Sequence, residues 1–232
     1  MQFIERNSYN IRAAVYELKH PHDTLEFVLF PMIHVGAFDY CRQVRQLLEK
    51  CDRILFEGVR GLRARLLTLT YRFMVRRKRL GLVTQNELRL RDLGERLIHA
   101  DVDAATFENA WSNVPVWVRI ILACAVPLYS LYLFAFATRK SIAQGLELDD
   151  LPTREETLNS SDKSEMVEHV LLHSRDAHLV EVIGDIHSKT RHEPLRVAIL
   201  YGAAHMRAVS RYLIGTLGYR VVRGNWVTVF EL

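Results

Sequence analysis

Between Phe27 and Phe56 the hydrophobic period changes twice, and this limits the folds open to the chain. Phe27-Val-Leu-Phe-Pro-Met-Ile33 is a continuous apolar run that reads as a buried strand. From residue 37 the spacing lengthens: Phe38, Cys41, Val44, Leu48 and Cys51 recur every three or four residues, the stripe of an amphipathic helix. Arg53-Ile-Leu-Phe56 follows at once as a second strand. Strand, helix and strand in this order imply a parallel pair joined by a right-handed crossover. The expected class is therefore α/β, a central mixed sheet with flanking helices. Antiparallel edge hairpins are expected at both ends. Ile11-Arg-Ala-Ala-Val-Tyr-Glu-Leu18 alternates and turns through His20-Pro-His-Asp-Thr24 into the buried strand, and residues 219–222 and 227–230 flank a turn at Arg223-Gly-Asn225. Before that last hairpin, residues 196–201 read as a strand. Gly202-Ala-Ala-His205 then turns into a helix through Met206, Val209, Leu213 and Leu217, with Gly218 as its stop.

The middle of the chain departs from this pattern. A single domain over residues 1–232 is expected, with residues 60–147 as a helical insertion. Residues 60–86 hold eight basic side chains and no acidic one, with Leu62, Leu66, Leu69 and Phe73 on one helical face. Such a helix is either a solvated basic surface or one that rests on a membrane or another acidic surface. No recognition motif or aromatic interleaving accompanies the charge, so nucleic acid is not an expected partner. Helical segments are expected over 85–98 and 104–111.

Residues 120–138 then run for 19 positions without a charge, between Arg119 and Arg139-Lys140, and meet the length criterion for a membrane span. Trp111, Trp117, Tyr129 and Tyr132 suit interfacial positions, and Pro127 sits near the middle. A lone span would leave His34 and Glu57 on one side of the bilayer and His205 on the other. The segment is therefore expected to be one kinked, mostly buried helix that contacts a membrane surface, or a second copy in a homodimer, without crossing. Residues 148–161 read as a loop. A helix is expected from about 162 to 183, begun by a capping box at Asp162 and Glu165.

Composition narrows the setting. Hydrophobic residues make up 49% and charged residues 25%, which is ordinary globular usage, with a formal net charge of +4. Cys41, Cys51 and Cys124 are odd in number, and the N-terminus lacks the apolar core of a signal peptide. A reduced, cytoplasmic protein is expected, associated with the inner face of a membrane if the apolar segment makes that contact.

Chemistry is concentrated where strands end. His34 ends the first buried strand, Glu57 ends the second, and His205 lies just past the run that ends at Tyr201. Side chains at the carboxyl ends of parallel strands converge on one crevice. Two imidazoles and a carboxylate could form a two-histidine, one-carboxylate face for zinc, manganese, cobalt or iron, which would acidify a bound water and polarise a carbonyl. Without metal, His34 could serve as general base oriented by Glu57, with His205 or Arg175 facing the developing oxyanion. Each residue also has an ordinary reading. A strand-end histidine can cap a helix, Glu57 can be a salt-bridge partner, and Arg175 can form a structural ion pair with Asp176 or Glu57. His169 and His173 have metal-ligand spacing but no His-Glu-x-x-His sequence, and read as surface-helix residues. The absence of Gly-x-Ser-x-Gly and of Gly-x-x-x-x-Gly-Lys argues against ordinary serine hydrolysis and against nucleotide hydrolysis.

The chain also resembles the TraB/PrgY/GumN family, which includes the Tiki proteases and is distantly similar to erythromycin esterases. Family members carry two Gly-x-x-His signatures, an acid ending the next strand and a late Arg-Asp pair. Here Gly202-Ala-Ala-His205 matches the second signature, and Pro31-Met-Ile-His34 stands for the first with proline in place of the usual glycine. Glu57 in Ile54-Leu-Phe-Glu57 matches the acid, and Arg175-Asp176 matches the late pair. Leu80-Gly-Leu-Val-Thr-Gln85 and His99-Ala-Asp101 resemble middle-region motifs of some members, and the similarity covers roughly residues 12–222. The resemblance implies a metal-dependent hydrolase of peptide, amide or ester bonds acting on a peptide or small-molecule substrate. Its alternative is a non-catalytic protein that binds a peptide signal or regulates a membrane process.

Overall fold

The computed structural model describes residues 1–58, 69–112, 114–144 and 172–232. Its centre is a mixed sheet of β1 (Ile4–Arg6), β2 (Asn10–Lys19), β3 (Glu26–Met32), β5 (Arg53–Phe56), β7 (Leu97–His99), β8 (Arg196–Gly202) and β9 (Arg220–Glu231). The strand order is β1-β2-β3-β8-β5-β7, with β9 lying along β2. Strands β3, β8, β5 and β7 are mutually parallel. Strands β1, β3 and β9 pair with β2 in antiparallel fashion.

Strands β3 and β5 are parallel, as the strand-helix-strand order implies, but they are not neighbours. Strand β8 slots between them, with Met32 opposite Gly202 and Phe56 opposite Leu200. The three strands are apolar almost throughout because both faces of the sheet are covered, the usual condition of parallel strands. Helix α1 (Phe38–Leu48) buries Tyr40, Cys41, Val44 and Leu48. Phe38 instead lies outside the stripe and is exposed. A small antiparallel pair, β4 (Val35–Ala37) with β6 (Leu82–Thr84), caps this region.

Three sequence expectations are corrected. The C-terminal hairpin is one long strand, β9, running beside β2 with two register shifts. Gly224 does not turn the chain. It sits opposite Tyr16, and a Cβ on it would lie 2.9 Å from the Tyr16 ring, so the missing side chain makes room for the aromatic. Residues 85–98 do not form an α-helix. They make two 3-10 turns and then β7, which extends the parallel sheet.

The third correction concerns the insertion. Helix α2 (Leu69–Arg76), helix α3 (Ala104–Ser112), helix α4 (Val116–Phe136) and helix α5 (Arg139–Gln144) are its described helices. The apolar segment forms the single continuous helix α4 around Pro127, but it is not mostly buried, since only 11% of its most apolar stretch lies inside the fold. Residues 60–68 of the basic segment, the loop expected at 148–161 and the helix start at 162 lie outside the described residues, as does His169. Helix α6 (Ser174–Thr190) runs past the expected end at Ile183 and leads into β8. Past β8, a 3-10 turn at Ala203–His205 and helix α7 (Met206–Arg211) bury Met206 and Val209.

Candidate active site

All four parallel strands deliver a polar side chain at their carboxyl ends. His34 follows β3, Glu57 follows β5, Asp101 follows β7 and His205 follows β8, so alignment of the strands brings the four to one edge of the sheet. The floor between them is Gly202. A Cβ built on it would lie 3.1 Å from Glu57 Oε2, 3.5 Å from His34 Nε2 and 3.6 Å from His205 Cδ2. Three side chains therefore close on a point that any residue other than glycine would fill.

Each member is held by a second group. The Gly202 amide donates to Glu57 Oε2 at 2.7 Å, and Arg175 Nη2 donates to Glu57 Oε1 at 2.6 Å. Arg175 also grips Asp101 through two donors, Nε to Oδ1 at 2.9 Å and Nη2 to Oδ2 at 2.7 Å. The amides of Gly58 and Val102 add two further bonds to the same carboxylate. Arg175 is 9% exposed and Asp101 3%, so this is a buried ion pair whose donors and acceptors are matched, the condition under which such pairs are tolerated.

The two imidazoles share one arrangement. His205 Nδ1 lies 2.7 Å from Asp176 Oδ1, and His34 Nδ1 lies 2.9 Å from Gln85 Oε1. Both partners are oxygens that can only accept, so Nδ1 is the protonated nitrogen in each ring and Nε2 is left with its lone pair in the neutral imidazole. His205 Nε2 stands 3.9 Å from Glu57 Oε1. The Gln85 backbone N–H also donates to the His34 carbonyl at 3.0 Å, and the Tyr71 ring of α2 faces His34 at 5.3 Å between centroids. Beneath His205, the Tyr201 hydroxyl donates to the Ala100 carbonyl at 2.7 Å and its ring meets the imidazole edge-on.

The electrostatics keep Glu57 ionised. Burial alone would raise its pKa, but attraction from His34 and His205 when protonated and from Arg175, together with the Arg175 hydrogen bond, outweighs burial and holds it at about 2. Tyr71 is pushed up, by burial first and then by the Glu57 charge. Tyr201 is raised as well, chiefly by burial, with Asp101 as the next contributor. Both phenols stay neutral.

The structure thus brings together His34, Glu57, Arg175 and His205, the residues singled out from sequence. Arg175 pairs with Glu57, one of the two ion-pair partners expected for it, and with Asp101. Asp176 orients His205. Gln85 holds His34 Nδ1, and His34 Nε2 and Glu57 Oε2 face the same point above Gly202. Asp101 and Gln85 are the partners that residue-level reading left unassigned, and their signal lay in the Leu80–Gln85 and His99–Asp101 stretches.

For zinc, manganese, cobalt or iron, the donors fit in kind but not in spacing. Two histidines whose Nδ1 atoms are backed by oxygens match the outer arrangement around metal-bound imidazoles. Yet among the described residues no group of three His, Cys, Asp or Glu side chains is placed to hold a metal ion. Glu57, the third candidate ligand, has one oxygen bonded to Arg175 and the other to Gly202. No family model, curated protein or solved structure matches the chain.

Proposed function

We propose that this edge of the sheet is a hydrolytic centre for amide or ester bonds of a peptide or small-molecule substrate. The observation that carries the reading is the pair of imidazoles anchored at Nδ1 beside a buried, ionised carboxylate. A base needs an unprotonated nitrogen aimed at water and a partner that stabilises the charge it gains. His205 has the partner, Asp176 on Nδ1, with Glu57 Oε1 3.9 Å from Nε2.

In this reaction His205 Nε2 takes a proton from water as the water oxygen bonds to the substrate carbonyl carbon. Collapse of the tetrahedral intermediate breaks the carbon–nitrogen or carbon–oxygen bond, and protonated His34 gives its Nε2 proton to the leaving group. Asp176 and Glu57 stabilise the imidazolium formed at His205, while Arg175 and Asp101 hold Glu57 in place. With Glu57 bonded to Arg175 and Gly202, no third ligand among the described residues is free beside His34 and His205 for a divalent transition metal, and the reaction uses none. The resemblance to TraB/PrgY/GumN proteins supports the same reading and forms part of the proposal.

Turnover of nitrophenyl esters and of a peptide library tests it, with His205→Ala and His34→Ala as variants and with metal removed and restored. Loss of general acid–base catalysis lowers the rate by about 10²–10⁴-fold. Turnover unaffected by both substitutions would remove the site from the reaction. Saturable peptide binding without turnover would instead assign the fold to the binding and regulatory class.

A further inference from the structure

Among the described residues, sixteen large hydrophobic side chains are exposed, and ten of them lie on α4. Leu122, Val126, Ser130 and Leu133 mark the inner stripe of the helix, facing the protein. At 100° per residue, the exposed positions cover roughly two-thirds of the circumference. A helix on a membrane surface ordinarily turns a polar face toward water; α4, whose only charged residue is Arg119, turns its inner stripe to the protein instead. A second copy of the chain would cover one face of the helix. Only an apolar phase covers all of the exposed arc.

Charge identifies that phase. Around the C-terminal end of α4, Arg76, Lys78, Arg79 and Lys140 are exposed, and the sequence has no acidic residue from 109 to 146. Helix α2 carries part of this collar, packing against α4 through Phe73 on Phe134 and through a bond from Arg77 Nη1 to the Ala137 carbonyl.

The fold also fixes the topology. Strand β7 precedes α4 and β8 follows it, and both pair with β5 in the same sheet. Arg139 fastens the end of the helix to the domain through the carbonyls of Leu80 and Glu231. Both flanks of α4 therefore lie on one side of any membrane.

We propose that α4 embeds this protein in an anionic bilayer from one side, with its exposed apolar arc in the hydrocarbon and the Arg76, Lys78, Arg79 and Lys140 collar at the phosphate layer. Juxtamembrane cations add a salt-sensitive attraction to anionic lipid, and apolar insertion adds a salt-resistant one.

The test is flotation of the full chain with phosphatidylcholine vesicles, with and without phosphatidylglycerol, together with quenching of tryptophan fluorescence by brominated acyl chains. Binding should strengthen with phosphatidylglycerol, and replacing Arg76 and Arg79 with alanine should weaken that gain on the order of 30-fold. The quenching should fall in Trp117→Phe. Leu128→Glu with Leu131→Glu should abolish flotation while circular dichroism shows the fold retained. Flotation that survives this double variant would reduce the contact to surface charge and overturn insertion. A chain that ignores vesicles but forms a dimer broken by the double variant would make a second copy the occupant. Tags at the two termini protected on opposite sides of sealed vesicles would overturn one-sided insertion.

Discussion

Asp176 and His205 are joined by a 2.7 Å hydrogen bond, and the residue before Asp176 is the arginine that holds Glu57. One turn of α6 thus sets both the tautomer of the base and the position of the carboxylate beside it. Asp176→Asn keeps the size of the side chain but can present an amide N–H to His205 Nδ1, which moves the proton to Nε2 and removes the base. We expect kcat to fall about 10³-fold or more with little change in Tm. The pH profile of kcat/KM checks this, because a merely structural role would lower stability and leave the profile's shape unchanged.

Arg175 answers two carboxylates inside the protein, so its removal leaves two negative charges without their cation. Arg175→Met should destabilise the fold by about 3–5 kcal/mol. Arg175→Lys should also lose stability, because an ammonium cannot reproduce the two-donor grip on Asp101. Urea unfolding at neutral pH measures both. A change within about 0.5 kcal/mol for Arg175→Met would mean that the ion pair is not what holds this edge together.

The depressed Glu57 pKa sets an acid limit. A carboxyl lowered from an ordinary 4.5 to about 2 contributes stability that is fully present above pH 4.5 and is lost as pH falls toward 2. The size is on the order of 3 kcal/mol. The stability difference between the parent protein and Glu57→Gln should therefore shrink as pH drops through this window and level off above it. A pH-independent difference in unfolding free energy would show that Glu57 is not held ionised.

Gly202→Ala places a methyl group where three side chains converge. With Glu57 Oε2 at 3.1 Å the carboxylate must shift, and overpacking of this kind costs about 1–3 kcal/mol. Activity should fall far more than that loss of stability accounts for, because the added atom occupies the space for water. Measuring kcat/KM alongside Tm separates the two effects, and full activity at reduced Tm would put the reacting atoms elsewhere.

Much of this site is legible in the sequence because parallel strands bury both faces. Apolar runs that stop abruptly at His34, Glu57 and Gly202-Ala-Ala-His205 mark strand ends, and strand ends in such sheets share one edge. Asp101 escapes the same reasoning because β7 is three residues long, and Leu90, Leu93 and Leu97 mimic a helical period. Gln85 escapes because neutral amides carry no pattern of their own. The C-terminal hairpin misreads for a different reason, since Gly224 serves the ring of Tyr16 on the adjacent strand, a contact that spacing along the chain cannot reveal. The exposure of α4 is equally invisible, because an apolar helix of that length reads the same whether protein or lipid surrounds it.

The central position of β8 has a consequence for the order of assembly during synthesis. Strands β3 and β5 leave the ribosome early but have no neighbour on their shared side until β8 arrives between them. Contacts so distant along the chain form slowly, so the sheet closes late and its carboxyl edge closes with it. Helix α4 is complete before β8 exists, and its apolar surface meets the surroundings while the domain is still open. The apolar surface of α4 therefore forms before His34 and His205 are brought together on one edge of the sheet.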